Sequence, residues 1–204
     1  YISANYMSQE GVVIESKNER YSAKVNISSQ LTDWLHITGD INAAHSIRKG
    51  GGFVSGKGNP IWIALNYSPS MEMMDTHGNY NKDSYNAIAS NPVGILEIQG
   101  GETMADVFNG RLDLRFNICK GLTFTTTNGA DYYDAKGYSF GSKRVQAQSS
   151  MGNNDTYRLM LQSSNNLTYT GSWNGHNLTA TAVYEVTSSE TRTMGINGTN
   201  LLTE

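Results

Sequence analysis

Long stretches of this chain alternate strictly between two kinds of side chain, with the charged residues of each stretch confined to one parity. In Arg111 to Ile118, Leu112, Leu114, Phe116 and Ile118 share one parity, and Arg111, Asp113, Arg115 and Asn117 share the other. Successive side chains of a β-strand point to opposite faces, so this pattern is a strand with one apolar and one wet side. It recurs at 21–27, 35–43 and 178–186. Repetition of such strands points to an all-β antiparallel fold, either a barrel or a large sheet.

Seven strands are expected, near 1–14, 20–31, 34–47, 104–118, 121–134, 156–171 and 176–190. The connections alternate in length. Strands two and three meet at Thr32-Asp33, four and five at Lys120-Gly121, and six and seven at Trp173-Asn174-Gly175, where Asn-Gly is a strong hairpin signal. The connections at the other ends are longer, near 15–19, 48–103 and 135–155. Short turns on one rim and long loops on the other are the pattern of an outer-membrane barrel, whose long loops are extracellular. The chain therefore divides into three strands (1–47), a long extracellular loop (48–103), and four strands with their loops (104–204).

Composition fits a wall between water and lipid. Only 38% of the 204 residues are hydrophobic and 16% charged, with Gly, Ser, Thr and Asn abundant. No stretch approaches the roughly 20 apolar residues of a spanning helix. A soluble β-sandwich that binds carbohydrate also alternates apolar and polar residues, but its strands are usually about 5 or 6 residues long. The strands here run past the roughly 9–11 residues that cross a bilayer at a tilt. Trp34, Phe124, Tyr169 and Trp173 lie near the short turns, and Tyr21, Tyr132 and Tyr184 toward the other ends, as two interfacial aromatic belts require. Asn128 and Asn165 fall on the apolar parity, at a cost if that face meets lipid.

Within the long loop, Pro60 followed by Ile61, Trp62, Ile63, Ala64 and Leu65 predicts a short helix. Trp62, Tyr67 and Tyr80 are candidate contacts for substrate or a partner, and loop packing is the alternative. Asp75-Thr76-His77-Gly78-Asn79 reads as a turn, since it lacks the closing acid of a calcium loop.

The net charge of −3 and the absence of a basic cluster argue against nucleic acid. Single Cys119 rules out an internal disulfide and a cysteine-rich metal site. The four histidines are dispersed, so no metal and no cofactor is expected. Asp113 and Asp131 are a pair of carboxylates that the hairpin of strands four and five could set face to face, as a glycosidase would need. Pairing of charges on a polar barrel interior explains them more simply, and no enzyme activity is expected. Lys24, Asp40, Arg111, Asp113, Arg115, Asp131, Arg158 and Glu185 are accordingly the candidate lumen-facing residues.

The order of segments carries a family resemblance. Ser8-Gln9-Glu10-Gly11-Val12-Val13 followed by Glu19 to Asn26, then Asn91-Pro92-Val93 before a strand, Lys120-Gly121-Leu122-Thr123-Phe124, and Asn166 to Tyr169 with His176-Asn177-Leu178 resemble the barrel of SusC/RagA-type TonB-dependent outer-membrane transporters of the Bacteroidetes. Asn128 departs from that pattern, which usually has an apolar or aromatic residue there. The resemblance implies a 22-stranded barrel around a plug, embedded in outer-membrane lipids and energised through the TonB complex. It further implies a cap formed by a SusD-like surface lipoprotein and import of glycans, oligosaccharides or peptides. This chain would supply about seven of those strands, without the plug. As an open sheet with two free edges, the isolated piece is expected to aggregate in water.

Overall fold

The alternating stretches pair into one seven-stranded antiparallel sheet whose strands lie in chain order. In the computed structural model these are β1 (Ile2–Glu10), β2 (Lys17–Thr32), β3 (Leu35–Lys49), β4 (Gly101–Cys119), β5 (Leu122–Gly141), β6 (Ser150–Trp173) and β7 (His176–Thr199). The structure describes residues 1–50, 59–81, 91–98, 100–145 and 148–202. A sandwich needs a second sheet stacked about 10 Å from the first. Among the described residues every strand belongs to the single sheet, which removes the sandwich reading.

The turns explain why neighbours in sequence are neighbours in space. Asn174 (φ 47°) and Gly175 (φ 82°) both take the positive φ of a type I′ hairpin, whose twist matches the strands it joins. At Lys120-Gly121 the glycine is obligatory twice over. Its φ is 80°, and a Cβ there would sit 2.2 Å from the Thr170 carbonyl oxygen. The β2–β3 turn lies one residue later than expected, at Asp33-Trp34, because a bulge between Gln30 and Thr32 shifts the register. β1 stops early. The Glu10–Lys17 pair closes its ladder, and Gly11 N–H donates to the Ser16 carbonyl (2.8 Å), so Val12, Val13 and Ile14 lie in a turn and not in a strand.

The strands also run further than expected toward the long-loop rim, where β5 reaches Gly141 and β6 and β7 pair from Ser150–Thr199 down to Trp173–His176. Register sorts the side chains into two faces. One carries Leu35, Phe116, Phe124 and Leu167 in one row across the sheet, and Ala43, Phe108, Tyr132 and Leu159 in a higher one. From Leu122 to Tyr132 on β5, this apolar band covers ten residue steps. That is about 33 Å along a strand, or about 25 Å along the membrane normal at a tilt of about 40°. The other face is polar.

The sheet has no interior. Its only buried apolar residues among those described are Ala44 and Ala135, while Ile27, Ile41, Leu112, Leu161 and Val186 are exposed on the band. No helix among the described residues is long and apolar enough to cross a membrane.

A small cluster sits at the long-loop rim. Helix α1 (Pro60–Asn66) starts where Pro60 predicts, capped by Asn59 Oδ1, which accepts from Ile61 N (2.9 Å) and Trp62 N (3.4 Å). The Asn91-Pro92-Val93 sequence does not lead directly into a strand. It opens helix α2 (Pro92–Ile98), with Asn91 Oδ1 accepting from Val93 N and Gly94 N (3.1 and 3.0 Å), and β4 begins only at Gly101. A proline at the first helical position costs no hydrogen bond, which is why the same dipeptide serves a helix start.

Candidate functional site

The polar face gathers the charged residues. Following the register, Lys24 stands beside Asn42, Asp40 opposite Arg111, Asp113 opposite Thr38, Arg115 opposite His36, Asp131 opposite Asn109, Arg158 opposite Tyr133, and Glu185 opposite Ser164. All eight residues singled out from the sequence therefore lie on one side of the sheet, opposite the apolar band.

Hydrogen bonds link them across strands. Asp40 Oδ2 takes the Lys24 ammonium at 3.3 Å and accepts from Asn26 Nδ2 at 3.0 Å. Asn42 donates to Asn109 Oδ1 (3.3 Å), and Asn109 donates in turn to Asp131 Oδ1 (2.6 Å). Arg111 Nε reaches both oxygens of Asp113 at 3.1 and 3.0 Å. Ser164 donates to Glu185 (2.9 Å), and the Arg158 guanidinium lies 5.7 Å from the centre of the Tyr133 ring. His36 lies within hydrogen-bonding distance of Ser28, Gln30 and Thr38. These neutral partners were not picked out from the sequence, although their parity matches that of the charged residues and would have found them.

Asp113 and Asp131 do not face each other. Their cross-strand partners are Thr127 and Asn109, so the carboxylates are offset by four residues, about 13 Å along the strand. That offset exceeds the roughly 5–9.5 Å at which the two carboxyl groups of a glycosidase act, and leaves the glycosidase reading without its acid–base pair. Between them the sheet has a hollow of about 320 Å³ around Gly129, lined by Asp40, Asn109, Arg111, Asp131 and Gln162. The hollow exists because the residue between Arg111 and Gln162 in the cross-strand row has no side chain. Among the described residues, no group of three His, Cys, Asp or Glu side chains is placed to hold a metal ion.

The apolar face bears its own polar exception. Asn165 Nδ2 donates to Ser163 Oγ (3.2 Å), Ser163 donates to Asn128 Oδ1 (2.9 Å), and Asn128 Nδ2 donates to Thr126 Oγ1 (3.1 Å). The two asparagines thus satisfy part of their hydrogen-bonding demand locally, which reduces the cost of placing them in hydrocarbon. Aromatic side chains border the band. Near the short turns Trp34 stacks on Phe116 at 6.1 Å, and Phe116 meets Phe124 in a tilted pair at 6.0 Å. Tyr6 and Tyr21 (4.9 Å) and Tyr132 and Tyr157 (5.7 Å) pair near the other edge. Tyr184 does not join this second belt. It pairs with Asn165, nearer the short turns, because β7 extends past it by fifteen residues to Thr199.

At the loop rim, the Tyr80 ring is packed against Gly94 and has the Arg144 guanidinium 6.0 Å from its centre, and its hydroxyl donates to Glu97. That hydrogen bond to a carboxylate raises the phenol pKa. Trp62 is partly exposed on α1, and Tyr67 is half-buried beside Glu72, where burial raises its pKa. Asp75 closes its turn by accepting from Asn79 and from the backbone of His77 and Asn79, and the Asn79 side-chain bond is the largest influence lowering its pKa.

No family model matches the sequence. Among curated proteins, the chain is 27% identical over 195 residues to TonB-dependent receptor P3 of Formosa agariphila, a match covering 90% of this chain and 19% of the relative. It is 25% identical over 146 residues to TonB-dependent receptor P26 of the same organism, covering 71% and 14%. The chain thus spans about a fifth or less of the curated relatives it matches. Among solved structures, the RagAB peptide importer in its closed-closed state aligns with TM-score 0.77 at 18% identity, over 98% of this chain and 24% of the other. A second RagAB peptide transporter structure aligns with TM-score 0.76 at 19% identity, with the same coverage.

Proposed function

We propose that this chain, which has the sequence likeness and the fold of the barrel wall of SusC/RagA-type TonB-dependent transporters, forms part of an outer-membrane import channel. The observation that carries this reading is the coincidence of two faces in one register. A band about 25 Å high is apolar on one side, and all eight candidate charges stand on the other. Among the described residues nothing packs on this apolar face, and lipid supplies the apolar surroundings it needs. The polar face then lines the lumen.

In that arrangement Lys24, Asp40, Arg111, Asp113, Arg115, Asp131, Arg158 and Glu185 bear on the plug or on passing substrate, and the wall performs no bond chemistry. With Arg20 and Arg48, which the register sets on the same face, this stretch of wall carries six cationic and four anionic groups, so both signs of charge stand toward the cargo, with cations in excess. The full protein imports glycans, oligosaccharides or peptides with TonB-derived energy and a SusD-like lipoprotein over the loop rim, where Trp62, Tyr67 and Tyr80 stand. The solved neighbours are structures of a peptide importer, which favours peptide among these cargoes.

Single cysteines in the full-length transporter carrying Cys119→Ala, which removes the exposed native thiol, test the reading after reconstitution in vesicles. Leu112→Cys and Leu161→Cys should react with a lipid-soluble maleimide and resist a charged thiosulfonate. Thr127→Cys and Gln162→Cys should do the reverse. Labelling that ignores this parity overturns the wall assignment. Uptake of labelled oligosaccharide and peptide by cells carrying the transporter then separates the cargo classes.

A further inference from the structure

The apolar face is interrupted near its upper edge by a trough of about 710 Å³. This lies within the range of roughly 300–1,000 Å³ typical of small-ligand clefts. Its floor is a cross-strand row of Ala4, Ala23 and Ala43, and in the same row the sheet steps up to Phe108 and Tyr132. Three side chains of one carbon beside two rings leave a channel about one side chain deep. Tyr6 and Tyr21, whose tilted rings lie 4.9 Å apart, close it above.

Polarity is graded along the trough. Below the alanines lie Val25 and Ile41, and above them His45 Nδ1 sits 2.7 Å from Asp106 Oδ1. Above the trough, on this face of β1 to β4, stand the carboxylates Glu10, Glu19, Glu102 and Asp106 and the ammonium groups Lys17 and Lys49. Lys17 is paired with Glu19 at 2.9 Å and Lys49 with Glu102 at 3.7 Å. An anionic head would meet surplus carboxylate here, and a head carrying an ammonium would meet a complementary field.

Resting on the assignment of this face to the bilayer, we infer that the trough seats one acyl chain of an outer-leaflet aminolipid, with its ammonium group at Asp106. The apolar floor takes the chain, the tyrosines sit at the level of the lipid's glycerol region, and the Asp106 carboxylate, 57% exposed, accepts from the head.

The full-length transporter is reconstituted separately in phosphatidylethanolamine and phosphatidylglycerol vesicles, checked by flotation, then extracted in mild detergent and examined by native mass spectrometry. The wild type should retain one phosphatidylethanolamine per transporter at this site and at least tenfold less phosphatidylglycerol. Ala43→Phe or Ala23→Met, each floating with the vesicles, should lower that retention at least tenfold, while Leu161→Ala should leave it unchanged. Asp106→Asn should abolish the preference between the two lipids. Equal retention by wild type and both filled-trough variants, or equal retention of the two lipids by the wild type, overturns the inference. Failure of the wild type to float overturns the bilayer assignment itself, whereas flotation without retained lipid removes only the trough.

Discussion

The sheet and the loop cluster at its rim are stabilised in opposite ways. In the cluster, Ile63 and Val145 are fully buried, and Asn91, also fully buried, uses both amide hydrogens on the Met73 and Asn81 carbonyls (2.6 and 3.1 Å) while its oxygen caps α2. A Cβ on Gly94 would sit 2.4 Å from Val145 and 2.8 Å from Tyr80. This is close packing of protein against protein, with buried polar groups satisfied internally. The sheet, by contrast, leaves Ile41, Leu112, Leu161 and Val186 uncovered and relies on ladder hydrogen bonds along its strands. One region carries its own core, and the other is completed by what surrounds it.

The largest expected break in this comparison comes from a charge on the band. Leu112→Arg should destabilise the full-length transporter in lipid by about 2–4 kcal/mol, while Thr127→Arg, on the polar face, should change stability by less than about 0.5 kcal/mol. Urea titration in vesicles measures both, and equal costs would show that the two faces do not differ in surroundings. In the cluster, Gly94→Val should cost about 1–3 kcal/mol through overpacking. Hydrogen exchange should then rise at 91–98 and 142–145 and remain unchanged in the centre of β4.

A smaller effect is expected at the polar exception on the band. Asn128→Val removes the acceptor of Ser163 and the donor to Thr126. Hydrogen bonds in membranes contribute about 0.6 kcal/mol on average, so the net change in lipid should stay within about 1 kcal/mol. A loss several times larger in the same urea titration would mark the network as a protein contact rather than a lipid-facing patch.

The smallest expected effect is in the turn at Asp75. Its carboxyl pKa is lowered in the folded state, chiefly by the Asn79 side chain. The ionised form is therefore favoured by folding. Its contribution is present above the ordinary carboxylate range and is lost as pH falls through the lowered value. Amide exchange at His77 and Asn79 should quicken over that acidic window, and Asp75→Asn should remove the pH dependence.

Parity made much of this molecule legible. Leu112, Leu114 and Phe116 against Arg111, Asp113 and Arg115 fixed both the strand and the sidedness of β4, because the period of a strand is set by backbone geometry alone. The positive-φ requirement placed the Lys120-Gly121 and Asn174-Gly175 turns in the same way. Where the pattern stops, so does the legibility. Lys136, Asn153, Asp155 and Thr193 show no apolar parity, yet β5, β6 and β7 continue through them because each ladder supplies backbone partners to the next strand. Val12 to Ile14 has strand composition and still turns, because Glu10 and Lys17 end the pairing.

Sequence by itself thus determined the strand period, the hairpin order and the separation of charge from apolar surface, all consequences of local geometry repeated along the chain. Tertiary structure alone decided which side chains meet. It offset Asp113 from Asp131, joined Asn165, Ser163, Asn128 and Thr126, seated Val145 against Gly94, and aligned three alanines from three strands into one trough. Each depends on register between segments, where a shift of one residue would reverse every face, and that register is set by turns, bulges and pairing partners acting together.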